Sequence, residues 1–130
     1  MGLLAVLLAA AGGFATGAAW YMILAKPWMT AVGMTEDDVK ASQNPMTFVI
    51  AFAAALMTAG MMRHVFAMSG IDSFSGGLIS GLGIGAFMTA PWIMTNYAFS
   101  DRPKALWAID CGYAAAACTV IGGILGAFGT

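Results

Sequence analysis

Residues 1–25 carry no charged side chain, and residues 3–25 are apolar over a length that crosses the hydrocarbon core, which takes about 20 such residues. Hydrophilic character then dominates residues 30–44, the longest polar stretch in the chain. Apolar runs return over 45–68, 74–100 and 104–128, separated by Ser69-Gly70-Ile71-Asp72-Ser73 and by Asp101-Arg102-Pro103-Lys104. This pattern predicts an all-α integral membrane protein in a single domain over residues 1–130. Its core is a four-transmembrane-helix bundle with spans at about 3–25, 45–68, 74–100 and 104–128. A basic leader and a shorter apolar core would mark a cleaved secretory signal, so the first run is expected to be a retained span.

The punctuation between the runs sharpens this picture. Trp20, Tyr21, Lys26 and Trp28 form an interfacial anchor, and Pro27 is expected to end the first helix. Thr35 followed by Glu36, Asp37 and Asp38 resembles a capped helix start with acidic first-turn residues. A short amphipathic surface segment between helices 1 and 2 follows from it. Asn44-Pro45 places a cap before a proline at the first helical position. The short connection at 69–73 predicts that spans two and three are antiparallel neighbours. Pro91 predicts a kink whose freed carbonyl needs another donor. Small residues recur every four positions at Ala9, Gly13 and Gly17, at Gly77, Gly81 and Gly85, and at Gly122 and Gly126. Such steps let helix backbones approach closely.

Composition excludes several classes. The chain is 61% hydrophobic and 8% charged, with mean hydropathy +0.86, whereas an ordinary soluble domain is about 25% charged. A net charge of −1 gives no reason to expect nucleic-acid binding. Cys111 and Cys118 lie about 10 Å apart along one helix, too far for a disulfide, and read as packing residues. Lys26, Lys40, Arg102 and Lys104 flank the first and third loops, against Arg63 alone at the other end. The positive-inside rule then puts loops 1 and 3 in the cytoplasm and both termini outside.

With that topology Trp20, Tyr21, Trp28, Trp92, Tyr97, Trp107 and Tyr113 gather toward one end, beside Lys26, Asn96, Arg102 and Asp110. Aromatic belts ordinarily mark both interfaces. Two explanations stand: a well-anchored interface with polar glue between helices, or a polar, aromatic-walled pocket. Asp110 is the leading candidate. At the centre of a span an Asp costs about 2.5–3.5 kcal/mol, so Lys26 or Arg102 is expected to pair with it. The other roles open to it are a proton-relay or cation-coordinating carboxylate, or a group reaching interfacial water. Asn96 is expected to hydrogen-bond between helices. Met57, Met61, His64 and Met68 share one helical stripe. Thioether and imidazole suit a soft metal or haem, but one helix cannot surround a metal, and the stripe reads first as packing. No nucleophile motif, metal-ligand spacing or phosphate loop is present, so no enzyme activity and no cofactor are expected.

Trp20-Tyr21, Lys26-Pro27-Trp28, Pro91, Asn96-Tyr97, Arg102-Pro103, and Ile109-Asp110 with Tyr113 three residues on resemble the pattern of the domain-of-unknown-function 1761 family. That resemblance covers nearly the whole chain and implies a small bacterial four-span membrane protein; it implies no activity. Three functions remain open. The first is an accessory or self-associating subunit of a larger membrane complex, docking through its glycine faces. The second is a homo-oligomeric transporter or channel for a small molecule, ion or proton, built on the aromatic pocket and Asp110. The third is a membrane enzyme or a metal or haem binder. The lipid bilayer is a partner in all three.

Overall fold

The computed structural model describes residues 2–129. Eight helical segments follow one another: α1 (Gly2–Ile23), α2 (Ala25–Val32), α3 (Glu36–Ser42), α4 (Pro45–Ser69), α5 (Phe74–Ile84), a π-helical turn (Gly85–Thr89), α6 (Ala90–Phe99) and α7 (Lys104–Phe128). Four helical units are long and apolar enough to cross a membrane: α1, α4, the continuous stretch Phe74–Phe99, and α7. Among the described residues there is no strand.

Proline chemistry explains two features of this course. Pro27 has no N–H to offer the Ile23 carbonyl four residues back, and α1 gives way at Leu24. The chain does not stop there. Trp28 N–H reaches the Leu24 carbonyl at 2.9 Å, and helix resumes as α2 after the non-helical Leu24. The expected helix end at Pro27 is therefore corrected to a break at Leu24, three residues earlier, with Pro27 itself inside α2. At Pro91 the expected kink takes the form of the π turn. The wider ring shifts bonding so that Ala90 N–H reaches the Gly85 carbonyl. The Ala90 carbonyl in turn accepts the Cys111 thiol at 3.6 Å.

Several other ends are capped by the residues the sequence supplies. Asn44 accepts from Met46 N–H ahead of Pro45. Thr35 and Asp38 form a reciprocal capping box at α3. The Thr35 bonds hold the exposed Asp38 carboxyl below the usual aspartate range. After α6, Arg102 N–H bonds back to the Tyr97 carbonyl and Asp101 N–H to that of Ala98. This is a Schellman closure, with Asp101 at φ 55° where glycine is usual.

Span four is the centre of the bundle, with 44% of its apolar window buried against 17% for span two. α7 receives α5 on one side and α1 on the other, while α4 packs mainly on α1. On α5 and the π turn, Gly77, Gly81 and Gly85 lie against α7 with no room for a side chain. A methyl at Gly77 would strike the Gly122 carbonyl oxygen, one at Gly81 the Cys118 carbonyl oxygen, and one at Gly85 the Ala114 carbonyl oxygen at 2.6 Å. Gly126 and Gly122 meet Ser73 and Gly77 in the same way. On α1, a methyl at Gly13 would come within 2.7 Å of the Ile121 side chain and one at Gly17 within 2.8 Å of the Tyr113 ring. All the glycine faces are therefore used inside the bundle.

Spans two and three are not packed neighbours. α5 follows its glycine face onto α7, and α4 makes no extended contact with α5 or α6. The expected pairing is corrected for that reason: backbone-to-backbone approach along α7 outcompetes the shorter connection. The consequence is a cleft between span two and span three, floored by α7.

Candidate binding groove

α7 carries Asp110 six residues beyond its start at Lys104, about 9 Å along the axis. Its carboxylate accepts the Tyr21 hydroxyl at Oδ1 and the Tyr97 hydroxyl at Oδ2. Tyr21 comes from the last turn of α1 and Tyr97 from the last turn of α6, so one carboxylate ties spans one, three and four together. The ring of Tyr113, one turn further along α7, lies 5.3 Å from that of Tyr21. Gly17 leaves the space that the Tyr113 ring fills.

This network replaces the ion pair expected with Lys26 or Arg102. No cation comes within 4.0 Å of Asp110 among the described residues. The magnitudes explain why none is required. A hydrogen bond to a charged group contributes about 1.5–3 kcal/mol, so two tyrosine hydroxyls match the insertion cost of about 2.5–3.5 kcal/mol. They stabilise the carboxylate without cancelling its charge.

Around this network is a groove of about 1000 Å³. α1 contributes Phe14, Ala18 and Tyr21, α4 contributes Thr47, Phe48 and Ala51, and α7 contributes Leu106, Asp110 and Tyr113. The bend at Leu24 turns α2 so that Trp28, Met29 and Val32 come over it, and Val39, Ser42 and Gln43 extend the cover. Arg102 stands at the rim, exposed. A second cavity of about 300 Å³ adjoins the groove, sharing Ala51 and Tyr113 and reaching down between α4 and α6 to Thr58 and Cys118.

Of the eleven polar and aromatic candidates, Tyr21, Trp28, Tyr97, Arg102, Asp110 and Tyr113 line the groove. Trp20 and Trp107 act as struts. The Trp20 indole N–H donates to the Ile109 carbonyl at 2.9 Å, its ring seated over Gly112, and that of Trp107 donates to the Arg102 carbonyl at 3.0 Å. Lys26, Trp92 and Asn96 point outward and are exposed. Asn96 makes no side-chain hydrogen bond among the described residues, so the interhelical bond expected of it is absent. Met57, Met61, His64 and Met68 also face outward on α4, while Ala59, Met62 and Phe66 form its buried face. No group of three or more His, Cys, Asp or Glu side chains lies together among the described residues. Sequence reasoning missed Ser42, Gln43, Thr47 and Phe48, whose only signal was proximity to the Asn44-Pro45 helix start.

These features define a multi-pass membrane protein: a four-span helical bundle with a carboxylate-centred groove at one end. The chain belongs to the family described as protein of unknown function (DUF1761), whose model matches residues 4–126. No curated protein matches the chain. No solved structure matches it either.

Proposed function

We propose that this protein is a small carrier of the bacterial cytoplasmic membrane, working as a homo-oligomer, in which Asp110 binds a proton or a cationic ligand within the groove. The observation that carries this reading is the position of Asp110: a carboxylate held by two tyrosines, facing a groove, with no Lys or Arg within 4.0 Å of it among the described residues. Intramembrane ionisable groups of this kind mark ion and substrate pathways. Four spans are few for a complete pathway, which is why a second copy belongs to the proposal. The groove mouth, between loops 1 and 3, faces the cytoplasm in this reading. Asp110 is assigned binding and proton exchange and no covalent step, so the protein is proposed as a carrier and not an enzyme.

An accessory subunit docking through glycine faces has less to support it. Those faces meet α7 and α1 inside the bundle, so a docking partner would have to use the outward face of α4 instead.

The test is proton and cation flux in proteoliposomes with Asp110→Asn. Asn keeps one acceptor oxygen for a tyrosine hydroxyl, and its NH2 can donate to the other tyrosine's oxygen, so the variant is expected to elute as the same assembly in mild detergent while flux is lost. Unchanged flux in an intact assembly would overturn the carrier reading. A variant that unfolds, together with wild-type protein showing no flux, would leave Asp110 as a structural tie alone.

A further inference from the structure

We infer that the groove and the cavity beneath it form one site for an amphiphilic organic cation, with its ammonium head at Asp110 and its hydrocarbon tail between α4 and α6. This deepens the carrier reading and rests on it for the role of Asp110. The two spaces meet at Ala51 and Tyr113, and their chemistry differs sharply along the chain of contacts. At the upper end the carboxylate uses two of its roughly four lone-pair sites on Tyr21 and Tyr97 and keeps the others free. The rings of Tyr21 and Tyr113, 5.3 Å apart, stand beside it. A carboxylate among tyrosine faces attracts an organic ammonium both by charge and through the ring quadrupoles. It repels an anionic head.

The lower space is different. Ala54, Ala55, Ile93 and Ala117 wall it, and the Thr58 hydroxyl there is spent on the Ala54 carbonyl at 2.9 Å. It is a slot for methylenes, open because span two does not pack on span three. Lipid tails are as apolar as this slot, so the tail adds little affinity over the bilayer. The slot selects for shape and fixes where the tail lies.

That distinction sets the experiment. The intact protein in nanodiscs of zwitterionic lipid is exposed to a dodecyltrimethylammonium probe carrying a photoreactive diazirine at the tail terminus, and the labelled residues are mapped. A probe with the same tail and a sulfate head is run in parallel. The expected result is cation labelling within residues 51–58 and 114–121, reduced about fivefold or more by Asp110→Asn and with the sulfate head. Ala54→Leu, on the wall of the slot and outside the packed core, is expected to lower labelling in the slot while the variant elutes as the same assembly as the wild-type protein. Labelling independent of head charge, or spread over the outward Met57 and Met61 face, would overturn the inference. Flux lost in Asp110→Asn without slot labelling would keep the carrier reading and remove this one. Slot labelling as expected with no flux in wild-type protein would do the reverse.

Discussion

Asp110 stood out in the sequence because a carboxylate inside an apolar run is costly enough to need a reason. Its partners did not stand out. Charge complementarity points to Lys26 and Arg102, whereas the folded chain answers with Tyr21 and Tyr97, which a linear reading files under interfacial anchors. The difference is geometric: the last turns of α1 and α6 deliver the hydroxyls, and Lys26 lies beyond the bend at Leu24. Tyr21→Phe and Tyr97→Phe are each expected to destabilise the bundle by about 1.5–3 kcal/mol, the value of a hydrogen bond to a charged group. The double variant should cost more than the sum, since the carboxylate then has no donor. Tyr113→Phe removes a hydroxyl with no hydrogen bond among the described residues, and a change within about 0.5 kcal/mol is expected. Equilibrium unfolding in mild detergent measures all four. If the Tyr21 and Tyr97 variants match Tyr113→Phe, water already solvates Asp110 and the tie contributes nothing.

At the scale of helices, four-residue glycine spacing announced close packing but not the partner. A small face fits any other small face, so the pairing of α5 with α7 emerges only when Gly77 and Gly81 are seen against Gly122 and the Cys118 backbone. The same limit hid α2, since Pro27 reads as a stop although it removes a single bond, and it hid the π turn behind the kink at Pro91. Gly81→Ala forces a methyl onto the backbone of α7, which cannot yield without separating the helices. A loss of about 1–3 kcal/mol, the usual cost of overpacking, is expected. Gly60 and Gly83 have nothing within 4 Å of where a methyl would sit. Gly60→Ala and Gly83→Ala should therefore be neutral or gain up to about 1 kcal/mol from helix propensity. Thermal unfolding of the three variants side by side checks the contrast. Equal losses at all three positions would mean that composition, and not the α5–α7 contact, sets the stability.

Over the whole molecule, the number of spans was legible from the apolar runs, but their adjacency was not. Loop length suggested that spans two and three pair, and the structure separates them to open the cleft on which any ligand traffic must depend. Orientation decides which compartment that cleft serves. Lys26, Lys40, Arg102 and Lys104 lie at the groove end, and Arg63 is the lone Lys or Arg toward the other. Basic residues near span ends are retained on the cytoplasmic side, so the groove mouth is expected to open inward and both termini outward. A C-terminal alkaline phosphatase fusion should be active and a C-terminal green fluorescent protein dark, with the opposite pair of signals for fusions placed after Gly33. Because the bias is a count and not a fold property, replacing Lys26 and Lys40 by Gln while introducing Ser69→Lys and Asp72→Lys reverses it. That variant should insert the other way round, turning the C-terminal fluorescent fusion bright. A bright C-terminal fusion in the unaltered protein would place the mouth outside, and a carrier built on Asp110 would then load from the external face.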